Sequence, residues 1–284
     1  MFINPKTDYA FKKIFGSSES KDILISFLNA LIYNAQPIIE DLEILNPNLP
    51  PKIWGLKDTY LDVKAKLNDG TLVIIEMQVL NVLSFDKRVL YNAAKTYAFQ
   101  LQSGEGYRML KPVIALTITD FVMFPQFEDY TSRFVYKERT KNVIYADGEL
   151  DLVFVELPKF KKEASQLETL TEKWIYFLKF ARSLTQVPNT MDSIPEIHHA
   201  FEIANEANLT RDEIEDLERR EQFIYDQQGA IALGREEGRE EGREEGEKNA
   251  KRSIARQLLD ILDDETISQT TGLSVEEIRD LRSN

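Results

Sequence analysis

Two acidic residues, Asp62 and Glu76, fall on either side of a predicted β-hairpin that runs from Tyr60 to Val79. Carboxylates on neighbouring apolar strands repel one another unless a cation lies between them, so the hairpin register decides what they can do. A two-residue Asp69-Gly70 loop would set Asp62 against Met77 and mix charge with core on each face. A three-residue loop, Asn68-Asp69-Gly70 with Gly70 left-handed, sets Leu67 opposite Thr71 and Asp62 opposite Glu76. One face then gathers Leu61, Val63, Ala65, Leu67, Val73, Ile75, Met77 and Val79. The other carries Asp62, Lys64, Lys66, Glu76 and Gln78, with Leu72 and Ile74 near the turn, and this cleaner separation favours the three-residue loop. Directly opposed residues hold their Cβ atoms about 4.5–5.5 Å apart, close enough for both carboxylates to ligate one cation. The plainer alternative is a pair of solvated acids on a wet hairpin face. An all-oxygen site suits Mg²⁺ or Mn²⁺ rather than zinc, and such an ion binds phosphate oxygens, activates water and offsets the charge that builds on a phosphodiester during hydrolysis.

Other chemistries find little support. The only histidines, His198 and His199, are adjacent and lie in an acidic stretch, no Ser-His or Cys-His arrangement is present, and no glycine-rich phosphate loop occurs. The absence of cysteine excludes disulfides and thiolate metal sites and fits a reducing, cytoplasmic setting. No run of about 18 apolar residues suggests a membrane span.

The elements that must position the two acids can be read from their caps and periodicity. Thr7 caps a short helix through Phe15, closed by Gly16, and a second apolar helix spans Lys21 to Tyr33. A strand around Ile38–Leu45 leads through a connector from Pro47 to Pro51 into the hairpin. After it, Ser84 is placed to cap a helix whose apolar positions are Phe85, Val89, Leu90, Ala93, Ala94, Tyr97, Ala98 and Leu101, ending near Gly104, with Arg88, Tyr91 and Lys95 on its flank. The run Val113 to Ile118 reads as a strand buried on both faces, and shorter strands are expected near Arg133–Tyr136 and Leu150–Leu157. This order predicts a mixed α/β sheet with helices on its faces.

Charge is unevenly placed along the 284 residues. Residues 1–190 hold 23 Lys/Arg and 23 Asp/Glu, while 191–284 hold 12 and 25, so the whole net charge of −13 belongs to the last third. The acidic total therefore does not exclude phosphate contacts by the first two thirds, where Lys12-Lys13 and Lys87-Arg88 are candidate contacts. From about Ile194 the pattern becomes helical, with Thr210 and Glu213 spaced as a capping box. Gly-Arg-Glu-Glu then repeats at 234–237, 238–241 and 242–245, followed by Gly246. Four glycines cost a helix about 3–4 kcal/mol relative to alanine, so this segment reads either as a flexible charged spacer or as a close-packed self-association helix. The final residues read as helix, Gly272 turn, helix, with Ser274 and Glu277 a second capping box. Their acidity suits a helical hairpin used for packing better than a DNA-reading helix-turn-helix.

Several segments together resemble a known family. They are Lys6-Thr7-Asp8-Tyr9-Ala10-Phe11-Lys12-Lys13-Ile14-Phe15-Gly16, the strands Leu61-Asp62-Val63-Lys64 and Ile75-Glu76-Met77-Gln78, and Asp151–Phe160, which ends Leu157-Pro158-Lys159-Phe160. Over roughly residues 1–190 they resemble the Rpn-type recombination-promoting nuclease and transposase family of the PD-(D/E)XK nuclease superfamily, in which tails with glycine-arginine-glutamate repeats are also typical. The resemblance implies an α/β, restriction-endonuclease-like core, with a mixed central sheet flanked by helices, and an acidic all-α C-terminal extension. Its domains would be a nuclease-like domain over 1–190, a charged helical segment over 191–248 and a small helical hairpin over 249–284.

It further implies that Asp62 and Glu76 bind the metal, with the carbonyl of Met77 a further ligand, Mg²⁺ the cofactor and Mn²⁺ a substitute. The expected activity is a Mg²⁺-dependent DNA endonuclease that hydrolyses phosphodiesters by metal-activated water, in recombination or mobile-element biology, with DNA as partner and no membrane. Gln78 stands where the superfamily usually has lysine; it can orient a water or a phosphate oxygen but supplies no cation. Lys64 could restore that charge, Asp8 could bring a third carboxylate, and Arg88, Tyr91 and Lys95 could line the cleft. The competing expectation is a weak or inactive nuclease fold that works as an interaction module, self-associating through its helical tail.

Overall fold

The structure is a computed structural model that describes residues 1–49, 59–146 and 148–283. The hairpin takes the three-residue loop. Strand β4 (Val63–Leu67) pairs antiparallel with β5 (Leu72–Gln78) in the register Val63↔Ile75, Ala65↔Val73, with the Leu67 N–H donating to Thr71 O at 2.9 Å. Gly70 sits at φ +91°, where an added Cβ would also crowd the Lys111 side chain, and Asp69 accepts from the Thr71 N–H at 2.8 Å.

Around this hairpin the main sheet runs β1-β4-β5-β6-β8-β7, with β1 at Leu42–Leu45, β6 at Val113–Thr119, β7 at Thr131–Phe134 and β8 at Leu150–Glu156. β5, β6 and β8 are parallel; β1, β4 and β7 pair antiparallel. A separate two-stranded ribbon joins β2 (Asn48–Leu49) to β3 (Thr59–Tyr60), and Pro50 and Pro51 of the expected connector lie outside the described residues.

Both faces of the sheet are covered, which explains why β6 is apolar throughout. One face packs on α1 (Asp8–Phe15), α2 (Lys21–Ile32), α4 (Leu170–Phe180) and, beyond the four-residue α5 (Asn189–Asp192), α6 (Pro195–Ile203), through a core that includes Phe11, Phe15, Phe27, Trp174 and Phe201. Several of these rings meet edge-on, as Phe27 and Trp174 do at 5.6 Å between centroids. Thr7 caps α1 and Gly16 closes it, as their positions suggest.

The other face packs on α3 (Phe85–Ala98) through two smaller clusters, Leu61, Ile74, Ala93 and Ala115, and Phe85, Val89 and Phe154. Ile74, Glu76 and Gln78 thus face a helix, against the alternative of a wet hairpin face, and one expectation is corrected: Leu61 packs on the α3 side instead of joining Val63. The alternation breaks because Asp62 is a bend before β4, and the Leu61 N–H turns away to Pro47 O at 3.2 Å. The inward stripe of α3 also differs from its apolar pattern: Asn92, Lys95 and Thr96 are buried, while Leu90 and Tyr91 are exposed. Ser84 occupies the N-cap position without a side-chain cap bond, at φ +62°.

The described chain forms two compact units, Met1–Ile224 and Tyr225–Asn284. Helix α7 (Arg211–Leu258) contains the Gly-Arg-Glu-Glu repeats as continuous helix, aided by Arg243 pairing with Glu240 at 3.0 Å and Glu247 at 3.3 Å. In the second unit, α8 (Asp264–Thr271) and α9 (Val275–Ser283) close a small core of Ala255, Ile267, Leu273 and Ile278. Gly272, at φ +71°, makes the turn, and Arg282 donates to Leu262 O at 3.2 Å and to Asp264 at 3.0 Å. Among the described residues no helix is long and apolar enough to cross a membrane.

Candidate active site

The site forms where β4 and β5 part. Asp62 stands at a bend one residue before the β4–β5 register begins at Val63↔Ile75 and donates its N–H to Ile75 O at 3.3 Å, so the regular pairing that would set it directly against Glu76 on one face does not extend to it. Its carboxylate turns into the plane of the sheet and accepts the Met77 N–H at 2.7 Å, taking the place that a further β4 carbonyl would fill. Because alternate residues direct their backbone groups to the same side, the Met77 carbonyl also faces this edge, past the last β4–β5 pair.

The two acids are approached from opposite faces. On the α1 side, Lys12 Nζ lies 3.7 Å from Asp62 and 2.6 Å from Asp8, and Arg220 lies 3.6 Å from Asp8. Burial pushes Asp62 up to about 8, helped by its hydrogen bond with Asp8 and opposed by the Met77 N–H and the charge of Lys12. Burial acts on Asp8 in the same direction, but hydrogen bonds with Asp62 and Lys12 and the charges of Lys12 and Arg220 prevail and hold it below the usual carboxylate range. The two carboxyls therefore titrate together rather than independently.

On the α3 side, Glu76 accepts from Arg88 at 2.7 Å and from Asn92 at 3.4 Å. Burial raises its pKa while Arg88 and Asn92 oppose that rise. Gln78 accepts a hydrogen bond from Arg88 and donates to Leu80 O at 2.6 Å. Arg88 itself lies over the Phe85 ring, 4.9 Å from its centroid. Two buried polar atoms here, Arg88 Nε and Asn92 Oδ1, have no hydrogen-bond partner among the described residues.

Of the residues singled out in the sequence, Asp8, Asp62, Glu76, Gln78 and Arg88 are brought together. Lys64 is half-buried across from Ile74, with its ammonium disfavoured by burial, and forms no ion pair with a described residue. Tyr91 points outward, and Lys95 is buried beneath it against the Tyr91 and Phe99 rings. Lys12, Asn92 and Arg220 were not read as parts of this cluster. Asn92 had a legible signal, a polar residue one turn after Arg88 on the helical stripe of Phe85, Val89 and Thr96.

The donor set is compatible with a hard cation. Among the described residues no group of three Asp, Glu, His or Cys side chains could hold a metal by itself. Mg²⁺ commonly takes only one or two carboxylates and completes its shell with water and phosphate oxygens, so Asp62, Glu76 and a backbone carbonyl are chemically suited to it. The carboxylates also already attract cationic groups, Lys12 on one side and Arg88 on the other.

A mixed sheet between helical layers, with paired acids at the mouth of its central hairpin, defines a PD-(D/E)XK-like α/β fold. The family model for the PD-(D/E)XK nuclease family transposase matches residues 5–234, and the chain belongs to that family. This membership supports a nuclease-like or transposase-like role with DNA as the substrate class. Neither the curated proteins nor the solved structures gave a match.

Proposed function

We propose that the protein is a metal-dependent DNA endonuclease that uses Mg²⁺, with Mn²⁺ as a substitute, in recombination or mobile-element biology. The observation that supports this reading is that Asp62 and Glu76 both stand where β4 and β5 separate, with the Asp62 carboxylate accepting the Met77 N–H next to Glu76 and each carboxylate costly to ionise where it stands. Asp62, Glu76 and the Met77 carbonyl would hold the ion, which when bound would activate a water and neutralise charge on the scissile phosphate. The Met77 N–H fixes the direction of the Asp62 carboxylate, which must release its proton on metal loading. Asn92 donates to Glu76 from the α3 side, where Arg88 also lies.

Plasmid DNA incubated with purified protein and Mg²⁺ tests the reading. Nicking or linearisation is expected from wild type, with Asp62→Ala and Glu76→Ala each lowering the rate by about 100-fold or more. Equal nicking by all three proteins would sink the assignment.

One observation favours a second reading, an interaction module on a weakened nuclease fold: the Gln78 amide is engaged with Arg88 and Leu80 and supplies no positive charge of its own. In that case the helical tail would carry self-association, and no Mn²⁺ site would be lost on Glu76→Ala.

A further inference from the structure

The geometry points to Arg88 as the catalytic cation of this site, delivered from α3 to the position where Gln78 lacks one. The inference rests on the nuclease reading above and concerns which residue of this chain meets the scissile phosphate.

Gln78 is occupied as a holder. Its carbonyl oxygen accepts from Arg88 and its amide donates to the Leu80 carbonyl, so its orientation is set within the protein. One terminal nitrogen of Arg88, Nη2, bridges Gln78 and Glu76, and the guanidinium lies on the Phe85 ring, which anchors the cation before any substrate arrives and leaves Nη1 for a phosphate oxygen. The side chain keeps 39% of its surface exposed, so the cation is held at the site yet open to a phosphate. Arg88 Nε and Asn92 Oδ1, a donor and an acceptor one turn apart, remain buried beside Glu76 without partners among the described residues, a cost normally avoided in a purely structural ion pair.

The chain geometry serves this placement. Ser84 adopts φ +62°, a conformation unfavourable for a non-glycine residue, and there the chain turns from the loop after β5 into α3. The first turn of α3 thereby returns over the end of the strand it left. Lys64, the sequence candidate for the same charge, pairs with Ile74 further back in the sheet and contacts neither Glu76 nor Gln78.

An arginine stays protonated at any working pH, so it takes no proton from water. Its contribution is to donate hydrogen bonds to phosphate oxygens as negative charge accumulates there. Gln78 is then a positioning residue that acts through Arg88.

The test uses the full chain with Arg88→Ala, Arg88→Lys and the double variant Gln78→Lys/Arg88→Ala. Each is measured for plasmid cleavage with Mg²⁺, for Mn²⁺ binding by calorimetry, and for binding of a DNA duplex in EDTA across a salt series. Arg88→Ala should cut cleavage by about 100-fold, keep Mn²⁺ affinity within about threefold, and lower the log–log salt slope of DNA binding by about 1. Arg88→Lys should fall between the two, and Gln78→Lys should restore Arg88→Ala by about tenfold. Cleavage by Arg88→Ala within about threefold of wild type overturns the inference alone. So does loss of Mn²⁺ binding with Arg88→Ala, which would make Arg88 a support for Glu76, and so does a double variant no better than the single one. Absence of cleavage by wild type fails the nuclease reading itself and takes this inference with it.

Discussion

Two acidic positions lie at the ends of parallel strands in the same sheet, and they are built in opposite ways. At the end of β8, Glu156 is fully buried and satisfied: one oxygen accepts the Met123 and Phe124 N–H groups at 2.6 and 3.0 Å, and the other pairs with Lys159 at 2.6 Å. Lys159 in turn donates to Phe124 O at 2.9 Å, so the charge pair fastens the loop after β6. At the end of β5, Glu76 and Asp62 are partly buried, with 14% of each side chain exposed; desolvation nevertheless outweighs their partners and raises both pKa values, and orphaned polar atoms lie beside Glu76. Satisfied burial makes a clamp; incompletely satisfied burial makes a site that gains from binding something.

The contrast can be broken from the clamp first. Glu156→Ala leaves a buried ammonium and two backbone N–H groups without partners, and should destabilise the protein by about 3–5 kcal/mol in chemical denaturation. A loss below about 1 kcal/mol would remove the distinction.

The active site should respond with the opposite sign. A carboxyl raised in the folded state favours folding in its protonated form, so its contribution is present below about pH 4 and is lost as pH rises through about 8. Asp62→Asn keeps an acceptor for the Met77 N–H and removes that cost. Without metal it should raise the melting temperature by roughly 3–6 °C at pH 8 and leave it nearly unchanged at pH 4. Equal effects at both pH values would contradict the burial argument.

The smallest effect concerns the repeats. A Cβ at Gly238 meets nothing within 4 Å, so Gly238→Ala should stabilise α7 by about 0.5–1 kcal/mol, measured as helicity on heating. Destabilisation instead would mean that the glycine face is covered by another chain.

What could be read from the sequence follows the range of the interactions. The hairpin register was legible because turn chemistry and alternation are local, and both agreed on Asn68-Asp69-Gly70. The helices and the buried strand β6 were legible for the same reason. Leu61 was misplaced because the bend at Asp62 breaks alternation just where the site begins. On the polar inner face of α3, periodicity places Asn92 on the buried stripe but does not name its partner Glu76 on another element, nor the rings that cover Lys95. The motif ending Leu157-Pro158-Lys159-Phe160 marked the family, yet its Lys159 serves the clamp rather than the active site. The repeats suggested either a spacer or a helix, and ion pairs along α7 accompany continuous helix.

The most direct test of the central claim is a calorimetric Mn²⁺ titration of the wild-type chain, Asp62→Ala and Glu76→Ala. The account predicts a site in wild type that is lost in both variants, with affinity falling as pH drops below about 8 because Asp62 must give up its proton. Binding that persists unchanged in either variant, or no binding by wild type, would contradict it.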